Sequence, residues 1–251
     1  MNKNLLFYWY VRDDGWHDLY DFHLRNLEAY KDVFTKAIFI ISHDDDTPQE
    51  YINTIVCKLN KIYPDAEIIY WKNDKVTRES KYVHDEIALK FQYMPDEWYF
   101  WGHCKGIDSN YVTKDYCYKW VAGMYFMNLY DIASIEKSMS LPDTCVIGTY
   151  LRTQCNAMYG SRYNWHYSGT FWWFNPKRIY RIMKQYDNHI PPVDRYISEA
   201  LFGFIIPNED RYRKPAMNLY NMDPKVMPIE LKNKLFEKIK PVGDWKELLN
   251  W

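Results

Sequence analysis

The chain lacks an excess of either charge: 32 Lys and Arg face 33 Asp and Glu over 251 residues, a formal net charge of −1. Binding a phosphate backbone by bulk charge needs a basic surplus, so no nucleic-acid partner is expected. It also lacks paired cysteines. The five (Cys57, Cys104, Cys117, Cys145, Cys155) are odd in number, none forms a C-x-x-C pair, and no Cys/His cluster has zinc-ligand spacing. Disulfides are therefore not expected. No window approaches ~18 consecutive apolar residues, so nothing reads as a membrane span. The first residues meet Arg12, Asp13 and Asp14 too soon for a signal-peptide core with its cleavage site. A soluble protein of a reducing, cytoplasmic compartment is the expectation. Glycine is scarce, at 9, and there is no internal repeat or low-complexity segment.

What abounds is aromatic: 24 Tyr, 12 Phe and 11 Trp within a chain that is 47% hydrophobic. That is ample for a packed core and excludes disorder. Tyr and Trp also offer a flat apolar body with a polar edge, which suits sugar faces as well as cores.

Short apolar runs alternate with helix-period segments. Leu5–Val11, Ala37–Ile41, Glu67–Trp71 and Trp98–Trp101 read as buried strands. Between them, residues 16–34, a segment from Thr47 (cap) and Pro48 (first turn) to about Tyr63, and Glu79–Phe91 read as helices. Four strand–helix units mean parallel crossovers, hence an α/β, mainly parallel mixed sheet with helices on both faces. Ligands of such sheets bind beyond the carboxyl ends of the strands. A long helix over about 114–138, a strand at Cys145–Leu151, an aromatic strand at Trp165–Phe174 and helices near Pro176–Tyr186 and Val193–Phe204 complete the reading. The expected division is residues 1–206 as one domain (a nucleotide half to 110, an acceptor half from 111) and 207–251 as a C-terminal helical appendage.

Four segments bring chemistry to strand ends. The fourth strand delivers His103 and Lys105 two residues apart, with Gly102 and Gly106 permitting close backbone approach to a ligand. Such a pair suits a diphosphate; alternatively His103 caps a neighbouring helix and Lys105 faces solvent. In the aromatic strand, Ser168-Gly169 interrupts the rings and marks a bulge or close approach, and with His166 and Trp172 it is a candidate sugar-pocket floor. Phe171 and Phe174 read as core. Asp194 and Glu199 stand where an acceptor hydroxyl would need a general base, although acids near a helix start are favoured by its dipole anyway. His43-Asp44-Asp45-Asp46 follows the second strand. Its carboxylates either hold Mg²⁺ or Mn²⁺, accept the imide N–H of uracil or thymine, or form a solvated turn. Tyr10 and Asn73, at the ends of the first and third strands, join Asp44 and Asp46 as donor-binding candidates. Arg152 is a candidate phosphate clamp.

With these segments placed, the chain resembles a family of small GT-A-type glycosyltransferases of bacterial and large-virus surface polysaccharide synthesis. The likeness rests on His103-Cys104-Lys105-Gly106, standing where most GT-A enzymes carry Asp-x-Asp, and on His166-Tyr167-Ser168-Gly169-Thr170-Phe171-Trp172-Trp173. It covers roughly residues 5–206. The resemblance implies a GT-A-like, Rossmann-like fold, a UDP- or dTDP-sugar donor across the first four strand ends, and a glycan acceptor near the aromatic strand, with Trp120 among its contacts. Glu199 would deprotonate the acceptor, with Asp194 as substitute, while Lys105 and His103 offset the departing diphosphate in one inverting displacement. Metal dependence would then be weak or absent, with Mn²⁺ or Mg²⁺ at Asp44–Asp46 as the other route. A non-catalytic carbohydrate-binding protein is the competing reading. The amphipathic segment Ile229–Ile239 offers peripheral membrane contact, though such a helix more often packs on its own domain.

Overall fold

The computed structural model describes residues 1–12, 17–104, 114–130, 132–148, 151–153, 165–167 and 169–206, with backbone alone at 17, 114–120 and 151–153. The appendage at 207–251 thus lies outside the described residues. The elements run β1 (Lys3–Val11), α1 (His17–Ala29), β2 (Lys36–His43), α2 (Gln49–Ile62), β3 (Glu67–Lys72), α3 (Glu79–Tyr82), β4 (Trp98–His103), α4 (Lys114–Leu129), α5 (Ile132–Met139), β5 (Val146–Gly148), β6 (Leu151–Thr153), β7 (Trp165–Tyr167), β8 (Trp172–Phe174), α6 (Pro176–Tyr186) and α7 (Ile197–Ile205).

Six strands form one sheet in the order β3-β2-β1-β4-β8-β5. The first four are mutually parallel, and β8 runs antiparallel between β4 and β5. This is an α/β fold with a mixed, mainly parallel sheet. Successive residues of a strand point to opposite faces, and both faces here are covered. Leu5, Phe7, Trp9 and Val11 of β1 join a core with α1, α2, α4 and α5. Leu6 and Tyr8 join a second core with Tyr82 and the turns after it, Ile179 of α6 and Phe202 of α7. Strand order changes direction between β1 and β4, where an open α/β sheet leaves a crevice at its carboxyl edge.

The structure departs from the sequence reading in the second half. The single helix expected over 114–138 is two, α4 and α5. Where α4 ends, the Asn128 carbonyl accepts from the Trp173 indole at 3.1 Å, drawing it toward the sheet. The expected strand at 145–151 divides into β5 and β6, and the expected strand at 165–174 into β7 and β8. Gly169 (φ 100°) and Thr170 (φ 58°) turn the chain out of one sheet, where β6 pairs β7, into the other. The first helix ends at Ala29 and is followed by a 3₁₀ turn at Lys31–Val33. After α3 the chain widens into a π turn (Val83–Ile87), then a 3₁₀ turn (Ala88–Lys90). Thr47 does not cap α2: Pro48 holds the cap position, and the Thr47 hydroxyl accepts the Asp44 N–H at 3.1 Å. Among the described residues, no helix is long and apolar enough to cross a membrane.

Candidate functional site at the carboxyl edge of the sheet

Register decides which side chains meet. Tyr8 lies opposite His103 in the β1–β4 pair, and Tyr10 opposite Ser42 in the β1–β2 pair. All four point to the α3/α6/α7 face. Along it, from β3 to β4, runs a seam of polar groups.

At the β3 side stands a triad built around one carboxylate. The Tyr10 hydroxyl donates to Asp44 Oδ2 at 2.7 Å, and Asn73 Nδ2 donates to Oδ1 at 2.8 Å. The loop is fixed from below by His43 Nδ1, 2.9 Å from the Asp44 carbonyl, and by the Asn73 N–H donating to the His43 carbonyl at 2.9 Å. Partial burial pushes the Asp44 carboxyl up. Hydrogen bonds from Asn73 and Tyr10, with the positive charges of Lys75 and Arg12, outweigh it and hold the group below its ordinary range. Asp44 is therefore an acceptor aimed by two neutral donors. Next to it, the Tyr8 hydroxyl donates to Ser42 Oγ at 2.6 Å, and burial keeps this phenol protonated.

At the β4 side is His103, only 7% exposed. Its Nε2 lies 2.7 Å from Thr170 Oγ1, and its Nδ1 lies 4.0 Å from Glu79 Oε1. Glu79 opens α3 and is gripped from the α7 side. Arg195 approaches both its oxygens, at 3.4 and 3.5 Å, and the Ser198 hydroxyl donates to Oε1 at 3.4 Å. Ser80, next to Glu79, donates to the Arg195 carbonyl at 2.9 Å and closes the network. Both imidazole nitrogens thus face protein groups.

Of the residues singled out in the sequence, Tyr10, Asp44 and Asn73 come together, and His103 stands in the same seam. Lys105, Gly106 and Ser168 lie outside the described residues, as do the side chains of Trp120 on α4 and Arg152 on β6. Arg152 and His166 are register partners in the β6–β7 pair, and His166 is buried. Gly169 sits in the left-handed turn between the two sheets. Asp46 is exposed. Glu199 is half-buried in the first turn of α7, adjacent to the Ser198 that reaches Glu79.

Two expectations need correction. Trp172 is fully buried, stacked on Trp101 at 5.9 Å with Phe202 edge-on at 4.6 Å, so it has no face to offer a sugar and is a core ring. Asp194 is exposed, and its Oδ1 accepts the Tyr196 N–H at 2.7 Å, which makes it a turn-forming residue. Asp44–Asp46 also make a poor cation site. Asp44 already accepts two hydrogen bonds, Asp45 turns outward to Lys72 at 2.7 Å, and among the described residues no three His, Cys, Asp or Glu converge for a metal. The sequence reading missed Glu79, Thr170 and Arg195. The signal for Glu79 was faint: it follows the β3 loop, but an acid opening a helix is ordinary.

No protein-family model matches the chain, and no curated protein matches it. Among solved structures it is similar to a crystal structure of 4-diphosphocytidyl-2C-methyl-D-erythritol synthase. The identity is 10%, the match covers 92% of this chain and 99% of that one, and the TM-score is 0.42. A likeness at that level carries no argument about activity.

Proposed function

We propose that this chain is a glycosyltransferase that takes a UDP- or dTDP-linked sugar at the carboxyl ends of β1 to β4 and passes it to a glycan hydroxyl. The observation that carries the reading is the Tyr10–Asp44–Asn73 triad at the carboxyl ends of β1, β2 and β3. A carboxylate kept ionised and held at a strand end accepts the imide N–H of uracil or thymine, and rejects a cytosine ring that presents an acceptor there. The seam then leads along the edge to His103, with Lys105 two residues beyond it in sequence. Cationic groups there offset charge on a departing nucleoside diphosphate. In this scheme Glu199 deprotonates the acceptor hydroxyl, since Asp194 is engaged with the backbone. Lys105 and His103 offset the charge that a bound Mn²⁺ or Mg²⁺ would otherwise neutralise, so activity should survive chelation.

Calorimetry with UDP, dTDP and CDP, followed by a nucleotide-sugar hydrolysis panel with and without Mn²⁺, tests the proposal. UDP or dTDP should bind, CDP should bind at least tenfold more weakly, and Asp44→Ala should abolish that preference, given about 1–3 kcal/mol for one hydrogen bond to a charged group. Binding of glycans without any nucleotide would replace this reading with that of a carbohydrate-binding protein.

A further inference from the structure

Strained backbone brackets His103. Three non-glycine residues have positive φ among the described residues, and one of them, Asp187, is an ordinary left-handed cap of α6. The other two deliver the two partners of the imidazole. Arg78, at φ 53° and ψ −133°, immediately precedes Glu79. Thr170, at φ 58°, is β-branched and follows Gly169. Such conformations are disfavoured for any residue with a Cβ, and persist where the surroundings over-determine them for a purpose.

Among the described residues, the charged and titratable neighbours of the ring come from three elements and the loop before α7. Glu79 faces Nδ1 from α3, with the Arg195 cation behind it. Tyr8 lies beside it on β1 and Cys104 follows it on β4, and burial keeps both protonated. From the β8 side come Thr170 and the Phe171 ring, which do not titrate. Glu79 thus favours a hydrogen on Nδ1 in either charge state. In the neutral ring Nε2 accepts from the Thr170 hydroxyl. In the cation Nε2 donates, and the hydroxyl becomes the acceptor with its own hydrogen turned elsewhere. Burial and Arg195 disfavour the cation, Glu79 favours it, and an added anion at the strand end tips the balance.

We infer that a nucleoside diphosphate binds with uptake of one proton by His103, and that Glu79 is the positioning residue for the imidazolium. This rests on the donor-site reading above. The proton comes from solvent and forms the Nε2–H bond; no bond of the ligand breaks.

The test is calorimetry of the full chain with UDP-glucose, whose diphosphate diester exchanges no proton near neutrality, in buffers of differing ionisation enthalpy. At pH 7 the buffer dependence should report uptake of about half a proton, as expected for an imidazole with an ordinary value near 6.5 that is raised by the ligand. Affinity should fall about tenfold between pH 6 and 8, the span of an imidazole titration. His103→Asn should flatten both. Glu79→Gln should move the transition to lower pH while binding at pH 6 persists; a merely structural role would weaken binding equally at every pH. Binding by the unmodified chain with no proton uptake overturns the inference and leaves the donor site standing. Failure of every uridine and thymidine nucleotide to bind sinks both.

Discussion

Replacing Gly203 by alanine would place a methyl carbon 1.8 Å from the carbonyl oxygen of Trp165. Real contacts of this kind essentially never fall below 3.0 Å, so α7 must retreat from β7 by more than an ångström. The obstacle is backbone and cannot rotate aside. One bond lies across that joint, the Trp165 indole donating to the Ile206 carbonyl at 2.9 Å, and the same helix is tied to α3 where Ser198 meets Ser80 and Glu79. A shift of this size carries such bonds beyond useful length. Overpacking costs about 1–3 kcal/mol and each buried hydrogen bond about 1 kcal/mol, while alanine in a helix returns about 1 kcal/mol. The net loss is about 3 kcal/mol, or on the order of 10 °C in melting temperature for a chain of this size. Gly102→Ala makes the same chemical change against a different obstacle. Its Cβ would meet the Phe7 ring at 2.8 Å, and a ring can give by a few tenths. That variant should lose about 1 kcal/mol, the low end for overpacking. Thermal melts with urea titrations would measure both. A Gly203→Ala protein melting within about 2 °C of the parent, or a more damaged Gly102→Ala, would refute the packing argument.

Two further perturbations test other parts of the fold. Arg178 on α6 donates from Nη1 to the carbonyls of Met139, Leu141 and Thr144 at 2.7–2.9 Å and lies over the Trp98 ring at 5.4 Å. Arg178→Ala should lower the urea midpoint, with unchanged slope, by the equivalent of about 2–3 kcal/mol, because charge-assisted bonds to three carbonyls are lost together. The second concerns acid. A carboxyl held below its unfolded value contributes stability that is complete above that value, about 3.9, and vanishes as pH falls through the folded one. Tyr10→Phe removes one of the donors that lower Asp44, so its urea midpoint should drop less than the parent's between pH 5 and pH 3. An identical drop would show that Asp44 is not held down by the phenol.

Much of the first half was legible from local pattern. β1, β2 and β4 stand out as short apolar runs because an inner parallel strand is buried on both faces, β3 at the edge is apolar though partly exposed, and the loops after them follow from crossover logic. Hence Tyr10, Asp44, Asn73 and His103 could be singled out unaided. The second half was not legible in the same way. Residues 165–174 read as one strand because composition records rings and not pairing partners, and Gly169 signals a bend without saying which sheet receives the chain beyond it. Trp172 drew attention as an aromatic beside polar residues; burial on both faces makes it core.

By itself the sequence determined the alternation of strands and helices, the near-neutral charge, the aromatic core and the chemical groups delivered to each strand end. Those properties depend on neighbours a few residues away. Only the tertiary structure decided that β1 sits between β2 and β4, that β8 inserts antiparallel beside β4, and that Arg195 and Ser198 converge on Glu79, which faces the His103 imidazole. Those contacts span more than a hundred residues of chain, from α3 to α7. They are selected by the shared burial of two distant segments, which no local pattern encodes.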